Sequence, residues 1–162
     1  MSEAEKRKRR LCFTGHRPNK LHSDEATVRT ILEGSIDAAI KDGFVTFITG
    51  MAQGVDIWAA EIVLERKAKN PEIRLICALP HPDFGKRWSA DWTSRHHAIL
   101  ERADLIRVIC PAFSWECFQT RNEWMVDHSA RVIAIYNGSS GGTAKTIRYA
   151  EQNGVEVQQY DA

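Results

Sequence analysis

Along the chain, short apolar runs alternate with longer stretches in which apolar residues recur at three- and four-residue intervals. The first run, Leu11 to Thr14, ends at Gly15-His16-Arg17-Pro18, where the proline bars a helix and holds Arg17 extended. After a loop to Ser23, the residues Val28, Ile31, Leu32, Ser35, Ile36, Ala39 and Ile40 mark one face of a helix that Gly43 closes. Phe44 to Thr49 is β-branched and aromatic without charge, which predicts a strand buried on both faces. A helix from about Gln53 to Lys69 follows, with Val55, Trp58, Ala59, Ile62 and Val63 on its stripe and Asn70-Pro71 as its stop. Ile73 to Leu79 predicts the third strand, ended by Pro80.

The alternation continues to the carboxyl end. His81 to Ser89 is loop-like and rich in rings, a helix runs through Leu100, and Leu105 to Ile109 predicts a strand. Cys110 to Phe118 reads as irregular, Thr120 to Ser129 as a helix and Val132 to Tyr136 as a strand. A Gly/Ser loop to Gly142, a helix from Thr143 to Gln152 and a strand from Val155 to Gln158 complete the pattern, with Gly154 closing the helix. Strands alternating with helices of this length imply right-handed βαβ units and a parallel sheet covered on both sides. The expected fold is therefore α/β: a Rossmann-like three-layer α/β/α sandwich with a mainly parallel sheet.

Composition narrows this picture without changing it. A chain of 162 residues fits one domain, expected over residues 11–162, and needs no disulfides to fold. Four cysteines, with no C-x-x-C spacing and mostly within or beside apolar runs, fit reduced thiols and a cytoplasmic setting. No apolar stretch approaches the ~20 residues that span a bilayer. Net charge is +1, so the whole chain lacks the electrostatic footprint of a nucleic-acid binder. The basic run Lys6 to Arg10 is the exception, and such a run predicts a disordered, solvated leader over residues 1–10.

In open α/β sheets ligands sit beyond the carboxyl ends of the strands, near the switch in strand order. Three glycine-bearing loops follow strands here: Thr14 to Arg17, Gly50 to Gly54, and Gly138 to Thr143. In the second, Gly50, Met51, Ala52 and Gly54 lead into a helix whose amides could face an anion. Taken alone, this G-x-x-x-G loop does not separate a phosphate cradle from a tight turn, and Asp56 could cap the helix, hold a ribose hydroxyl or repel an anion. The third loop, Gly141, Gly142 and Thr143 with Thr146 behind, has the makings of an anion nest. Arg17 and Arg121 could pair with a phosphate, Thr14, Gly15, His16 and Pro80 stand beside the same strand ends, and Trp88 with Phe84 and Trp92 could wall a planar base. No histidine spacing suits a metal, and Asp127, His128 and Ser129, adjacent on one helix, cannot form a triad. Neither a metal nor a cofactor is expected.

The segments Thr14 to Pro18, Phe47 to Glu61, "RNEWMVD" from Arg121 and "GGTAKTIRYAE" from Gly141 together resemble the SLOG superfamily. Within it the resemblance is to the bacterial and phage family of unknown function grouped with YpsA, and it spans about Leu11 to Tyr160. LOG-type phosphoribohydrolases bind a nucleoside monophosphate with an R-x-x-x-M segment, which Arg121 and Met125 match, and a P-G-G-x-G-T-x-x-E loop. Here Ser140, Ala144 and Arg148 replace that loop's proline, later glycine and catalytic glutamate, which counts against cleavage by that mechanism. Arg121 and Glu123 remain the candidates if a reaction occurs. DprA, which binds single-stranded DNA, carries a G-x-x-x-G-x-D loop and an Arg-Asn pair, matched by Gly50, Gly54, Asp56, Arg121 and Asn122. The resemblance implies a small nucleotide-like ligand, a mononucleotide or an ADP-ribose-like species, bound by a sensor or regulator. An N-glycosidic hydrolase is the alternative, a single-strand-binding module the third reading, and a homodimer is implied by the relatives. On this reading nucleic acid is the less favoured partner and no membrane is involved.

Overall fold

The computed structural model describes residues 1–162. Six strands, β1 (Arg10–Gly15), β2 (Thr46–Thr49), β3 (Arg74–Leu79), β4 (Leu105–Val108), β5 (Arg131–Tyr136) and β6 (Glu156–Asp161), form one sheet in the order β4-β3-β2-β1-β5-β6. Every pairing is parallel. Five helices connect them: α2 (Glu25–Lys41), α3 (Val55–Lys69), α4 (Ala90–Arg102), α5 (Glu116–Asp127) and α6 (Gly142–Gln152). This is the Rossmann-like α/β arrangement that the alternating pattern predicts. Order reverses at β1, which lies between β2 and β5, so a crevice opens between the loops leaving β1 and β5.

Alternation along the strands divides the core. Leu11, Phe13, Phe47, Leu75, Ile133 and Ile135 face α2, α3 and α4 in a cluster of 26 buried residues, with Phe13 and Phe47 stacked at 6.2 Å. Cys12, Ile48, Ala78 and Val132 point the other way, into a cluster of 8 with Met125 and Val126 of α5 and Ala150 of α6. The larger layer anchors the sheet, and the thinner one lets α5 approach the strands closely. Gly15 makes a similar approach possible on the first face, because a Cβ there would lie 2.6 Å from the Val55 side chain of α3.

Two stretches differ from the reading of the sequence. The first ten residues are not a featureless leader: α1 (Glu3–Arg7) is a short helix with a reciprocal capping box between Ser2 and Glu5. Two of its charges have partners: Arg10 bonds Glu3 at 2.6 Å, and Arg7 Nε donates to the Ser129 carbonyl at 3.0 Å, which docks the helix on the domain. The second is α5, which starts at Glu116, within the segment expected to be irregular. At the sheet edge, β4 is exposed throughout, with Leu105, Ile106 and Val108 each about half accessible.

Substituting Phe47→Ala, which leaves a void behind a residue of 0% exposure, should cost about 3–5 kcal/mol of unfolding free energy. Gly15→Ala should cost about 1–3 kcal/mol by overpacking against Val55. Urea denaturation of the two variants checks both values.

Candidate functional site

The Gly50 loop closes on itself. Thr49 Oγ1 donates to the Asp56 carbonyl at 2.9 Å and accepts from the Met51 amide at 3.3 Å, while the Ala52 amide donates to Asp56 Oδ2 at 3.2 Å. Two of the amides that could have cradled an anion are thus taken by the loop's own side chains. Met51 sits at φ 62 with its side chain fully enclosed in the core, so it lines no cavity. Gly54 adopts φ 90, and a Cβ there would meet Pro18 Cδ at 2.8 Å and the His16 carbonyl at 3.2 Å. Its absence lets the loop after β1 lie against the start of α3.

Gly50 serves a different neighbour. Arg121 of α5 is 5% exposed and passes its guanidinium between two strand ends, Nη1 donating to the carbonyls of Gly50 at 2.5 Å and Ala78 at 3.3 Å. A Cβ on Gly50 would lie 2.9 Å from the Arg121 Cζ and 3.0 Å from Asp56 Oδ2. Arg121 Nε donates to Asn122 Oδ1 at 2.8 Å, which fixes the amide orientation that otherwise has to be inferred. Asn122 Nδ2 is consequently turned towards Gly142, 4.0 Å from where its Cβ would stand. Arg121 also lies over the Phe84 ring, 5.7 Å from its centroid.

At the start of α6 the donors gather. Gly141, at φ 139, is the N-cap and no side chain caps the helix. The first helical amides therefore have no partner within the helix. Lys20 Nζ stands 3.5 Å from the site of a Gly141 Cβ, and Asn137 Nδ2 holds the Lys20 carbonyl at 2.5 Å, tying the loop after β1 to the loop after β5. Together with Asn122 these groups surround the mouth of a cavity of about 510 Å³. Thr14, Gly15, His16, Arg17, Ala52, Asp56, Arg121, Asn122, Gly142 and Thr143 of the expected residues line it, joined by Lys20, Trp115 and Phe118. Thr146 does not: it is fully buried and its hydroxyl donates to the Gly142 carbonyl at 2.8 Å, within the helix.

A second cavity of about 760 Å³ adjoins the first, sharing Arg17 and Phe118. Its walls are His81, Phe84, Trp88, Phe113 and Phe118, packed edge to face at centroid distances of 5.1–6.2 Å, with Lys86 and Arg87 at the rim. Trp88 lies there as expected of a ring wall, whereas Trp92 packs against Trp58 at 6.2 Å, away from the cleft. Pro80 is buried beneath, its carbonyl accepting the Cys110 amide at 3.1 Å. Glu123 is bonded to Gln119 at 3.0 Å and lines neither cavity.

Asp56 is the one carboxylate in the polar cavity. It is 7% exposed, with Oδ1 enclosed and unpartnered. Burial pushes its pKa up to about 6, against the pull of Arg121 and the Ala52 amide. Burial lowers the pKa of His16, whose ring lies 5.5 Å from that of Tyr136. Burial also lowers that of Arg121, and Asp56 works in the opposite sense. Nowhere do three or more His, Cys, Asp or Glu side chains come together as a metal site would require. No helix is long and apolar enough to cross a membrane.

Comparison with known proteins extends this geometry. Residues 11–162 match the YspA SLOG family. The uncharacterized SPbeta prophage-derived protein YoqJ of Bacillus subtilis (strain 168) is 36% identical over 124 residues, covering 69% of this chain and 72% of that protein. The fold is similar to that of DNA processing protein A, DprA. Its Streptococcus pneumoniae form superposes with TM-score 0.64 at 15% identity, over 94% of this chain and 50% of that one. The Helicobacter pylori form, a single-stranded DNA binder, gives 0.66 at 18% identity, over 97% and 66%. This chain spans half to about two thirds of the DprA chains.

The raised pKa of Asp56 has a consequence for stability. Between the unfolded pKa near 3.8 and the folded value of about 6, the folded state holds the proton that the unfolded state has lost. Stability conferred by the protonated carboxyl is complete below about 3.8 and falls as pH rises through about 6. Relative to Asp56→Asn, the native protein should lose roughly 2 kcal/mol between pH 4 and 7. Denaturation curves of both proteins from pH 4 to 7 measure the difference.

Proposed function

The chain belongs to the YspA SLOG family, and on that premise we propose that it binds a small nucleotide or nucleotide-derived ligand as a sensor or regulator. The phosphate is assigned to the start of α6 and the base to the ring-lined cavity. The observation that carries this reading is the meeting of a donor-rich cavity and an aromatic one at Arg17 and Phe118. Uncapped amides, Lys20 Nζ and Asn122 Nδ2 offer an anion hydrogen bonds and opposite charge at one point. Arg17 is exposed at the junction, free to close on a phosphate in bidentate fashion. Asp56, the carboxylate lining the polar cavity, suits a ribose hydroxyl, and the rings of Phe84, Trp88, Phe113 and Phe118 suit a planar base. Both cavities fall in the range of roughly 300–1,000 Å³ typical of small-ligand sites.

Binding is favoured over LOG-type cleavage by the placement of the acids. Arg148, at the position of the LOG glutamate, is exposed on α6, and Glu123 is held outside the cavities. A second reading, contact with single-stranded nucleic acid, is favoured by Trp115 and Phe113, which are 82% and 53% exposed beside Arg17, Lys86 and Arg87. Exposed rings with cations along one rim are what a single strand uses, and DprA, the protein of similar fold from Helicobacter pylori, binds single-stranded DNA.

Calorimetric titration with adenosine monophosphate, ADP-ribose and a short oligothymidylate separates these readings. For a small-ligand site, Gly142→Glu should weaken mononucleotide or ADP-ribose binding at least about tenfold, a loss of about 1.4 kcal/mol, while Trp115→Ala changes it little. If the oligothymidylate alone binds, if Trp115→Ala costs about 1–3 kcal/mol and if affinity falls steeply with salt, the strand-binding reading takes its place.

A further inference from the structure

The loop that carries Phe113 and Trp115 begins and ends on a cysteine. Cys110 follows β4, its amide held by the Pro80 carbonyl at 3.1 Å and its side chain half-buried. Cys117 lies in the first turn of α5 and is 1% exposed. Between them the chain folds back, with the Cys117 amide on the Ser114 carbonyl at 3.3 Å. The Cys117 sulfur sits 3.1 Å from Ser114 Oγ and 3.3 Å from the carbonyl of Ala112, only two residues after Cys110. The return of the loop thus brings the Cys117 thiol back beside the residues that follow Cys110, across a loop only a few residues long.

We infer that Cys110 and Cys117 form a reversible dithiol–disulfide pair, a thiol-modification site at the mouth of the cleft that takes small disulfides such as oxidised glutathione. The two thiols differ in charge, and exposure rather than acidity makes Cys110 the one that meets the reagent, leaving Cys117 the readier thiolate for the closing step. The Ser114 hydroxyl holds the Cys117 thiol below its ordinary pKa, and the hydrogen bond with Cys117 holds that of Cys110 above it. A Cys117 thiolate is also favoured by its place at a helix N-terminus. The other two cysteines make natural controls: Cys12 and Cys77 are fully enclosed in strands, and burial pushes both up to about 12.

The exchange balances without any group beyond the disulfide reagent. The accessible Cys110, as thiolate, attacks one sulfur of oxidised glutathione, breaking that S–S bond and releasing one glutathione thiolate, which takes up a proton. The Cys117 thiolate then attacks the Cys110 sulfur of the mixed disulfide, and the second glutathione leaves in the same way. Two protein thiols are oxidised and one glutathione disulfide is reduced to two thiols. Closure removes the Cys117 S–H that donates to the Ala112 carbonyl. The loop must then readjust, and it carries one ring of each cavity, Phe113 and Trp115.

The test is thiol mapping of the full-length protein at pH 8 after equilibration with excess oxidised glutathione. Free thiols are alkylated in denaturant, and the tryptic peptide from Val108 to Arg121, which contains both residues, is weighed. The expected peptide is unalkylated and lighter by two hydrogens, reverting on reduction, while Cys12 and Cys77 remain fully alkylated. In Cys117→Ser a stable glutathione adduct should remain on Cys110, and in Cys110→Ser the peptide should stay reduced. The emission of Trp115, read as the difference from Trp115→Phe, should shift between the oxidised and reduced forms. A persistent adduct on Cys110 in the native sequence, both thiols remaining alkylatable, or a disulfide joining two chains would overturn the assignment. None of these readouts depends on nucleotide binding, so the pair stands or falls separately from that reading.

Discussion

The buried guanidinium of Arg121 is the interaction on which the rest of the cleft depends. It leaves α5, crosses the thin side of the core and takes the carbonyls of Gly50 and Ala78, at the ends of β2 and β3. A cation so enclosed is costly to desolvate unless its donors are met. Here the protein meets them with main-chain oxygens that the parallel ladder leaves open at its carboxyl edge. Gly50 is glycine because the guanidinium occupies the space of its Cβ. Lysine, a point charge on a flexible stem, could not hold two strand ends and orient Asn122 from one planar group.

With that cation committed to structure, the remaining charges divide by role. Arg17 and Lys20, on the loop after β1, are exposed and stand at the cavity mouth, where a ligand can reach them. Asp56 sits below, near enough to feel Arg121 but without a hydrogen bond to it, so burial dominates its proton affinity. A positive rim above a weakly acidic floor is the arrangement on which the proposed nucleotide reading rests. The aromatic cavity alongside adds a surface for a flat ring, and its edge-to-face packing fixes those walls before any ligand arrives.

The fold was readable because both-face burial leaves strand residues almost uniformly apolar, as in Phe47 to Thr49 and Val132 to Ile135. Orientation was not. Met51 and Thr146 neighbour the right glycines, yet one turns into the core and the other bonds its own helix. The basic run beside α1 hid the Ser2 and Glu5 box that precedes it. Lys20, Trp115 and Phe118 carry no local mark, since they reach the cleft only when loops 137–141 and 110–117 are folded over it. Arg121 is legible as a cation near the site but not as a strand-end clamp, because its partners lie 71 and 43 residues away in the chain.

The exposed edge of β4 and the covered cleft have one topological cause. From β4 the chain must reach β5 on the far side of β1, four strand spacings away, roughly 19 Å at the usual separation. The connection leaves β4 over the carboxyl ends of the strands before α5 descends on the opposite face against β3 and β1, while α4 packs on α3 rather than over the outer strand. The route draws a roof across the crevice out of the connection itself. Enclosure of the cleft is therefore a by-product of wiring, and the bare outer strand is its counterpart: a lengthened traverse would loosen the roof while leaving the sheet beneath it unchanged.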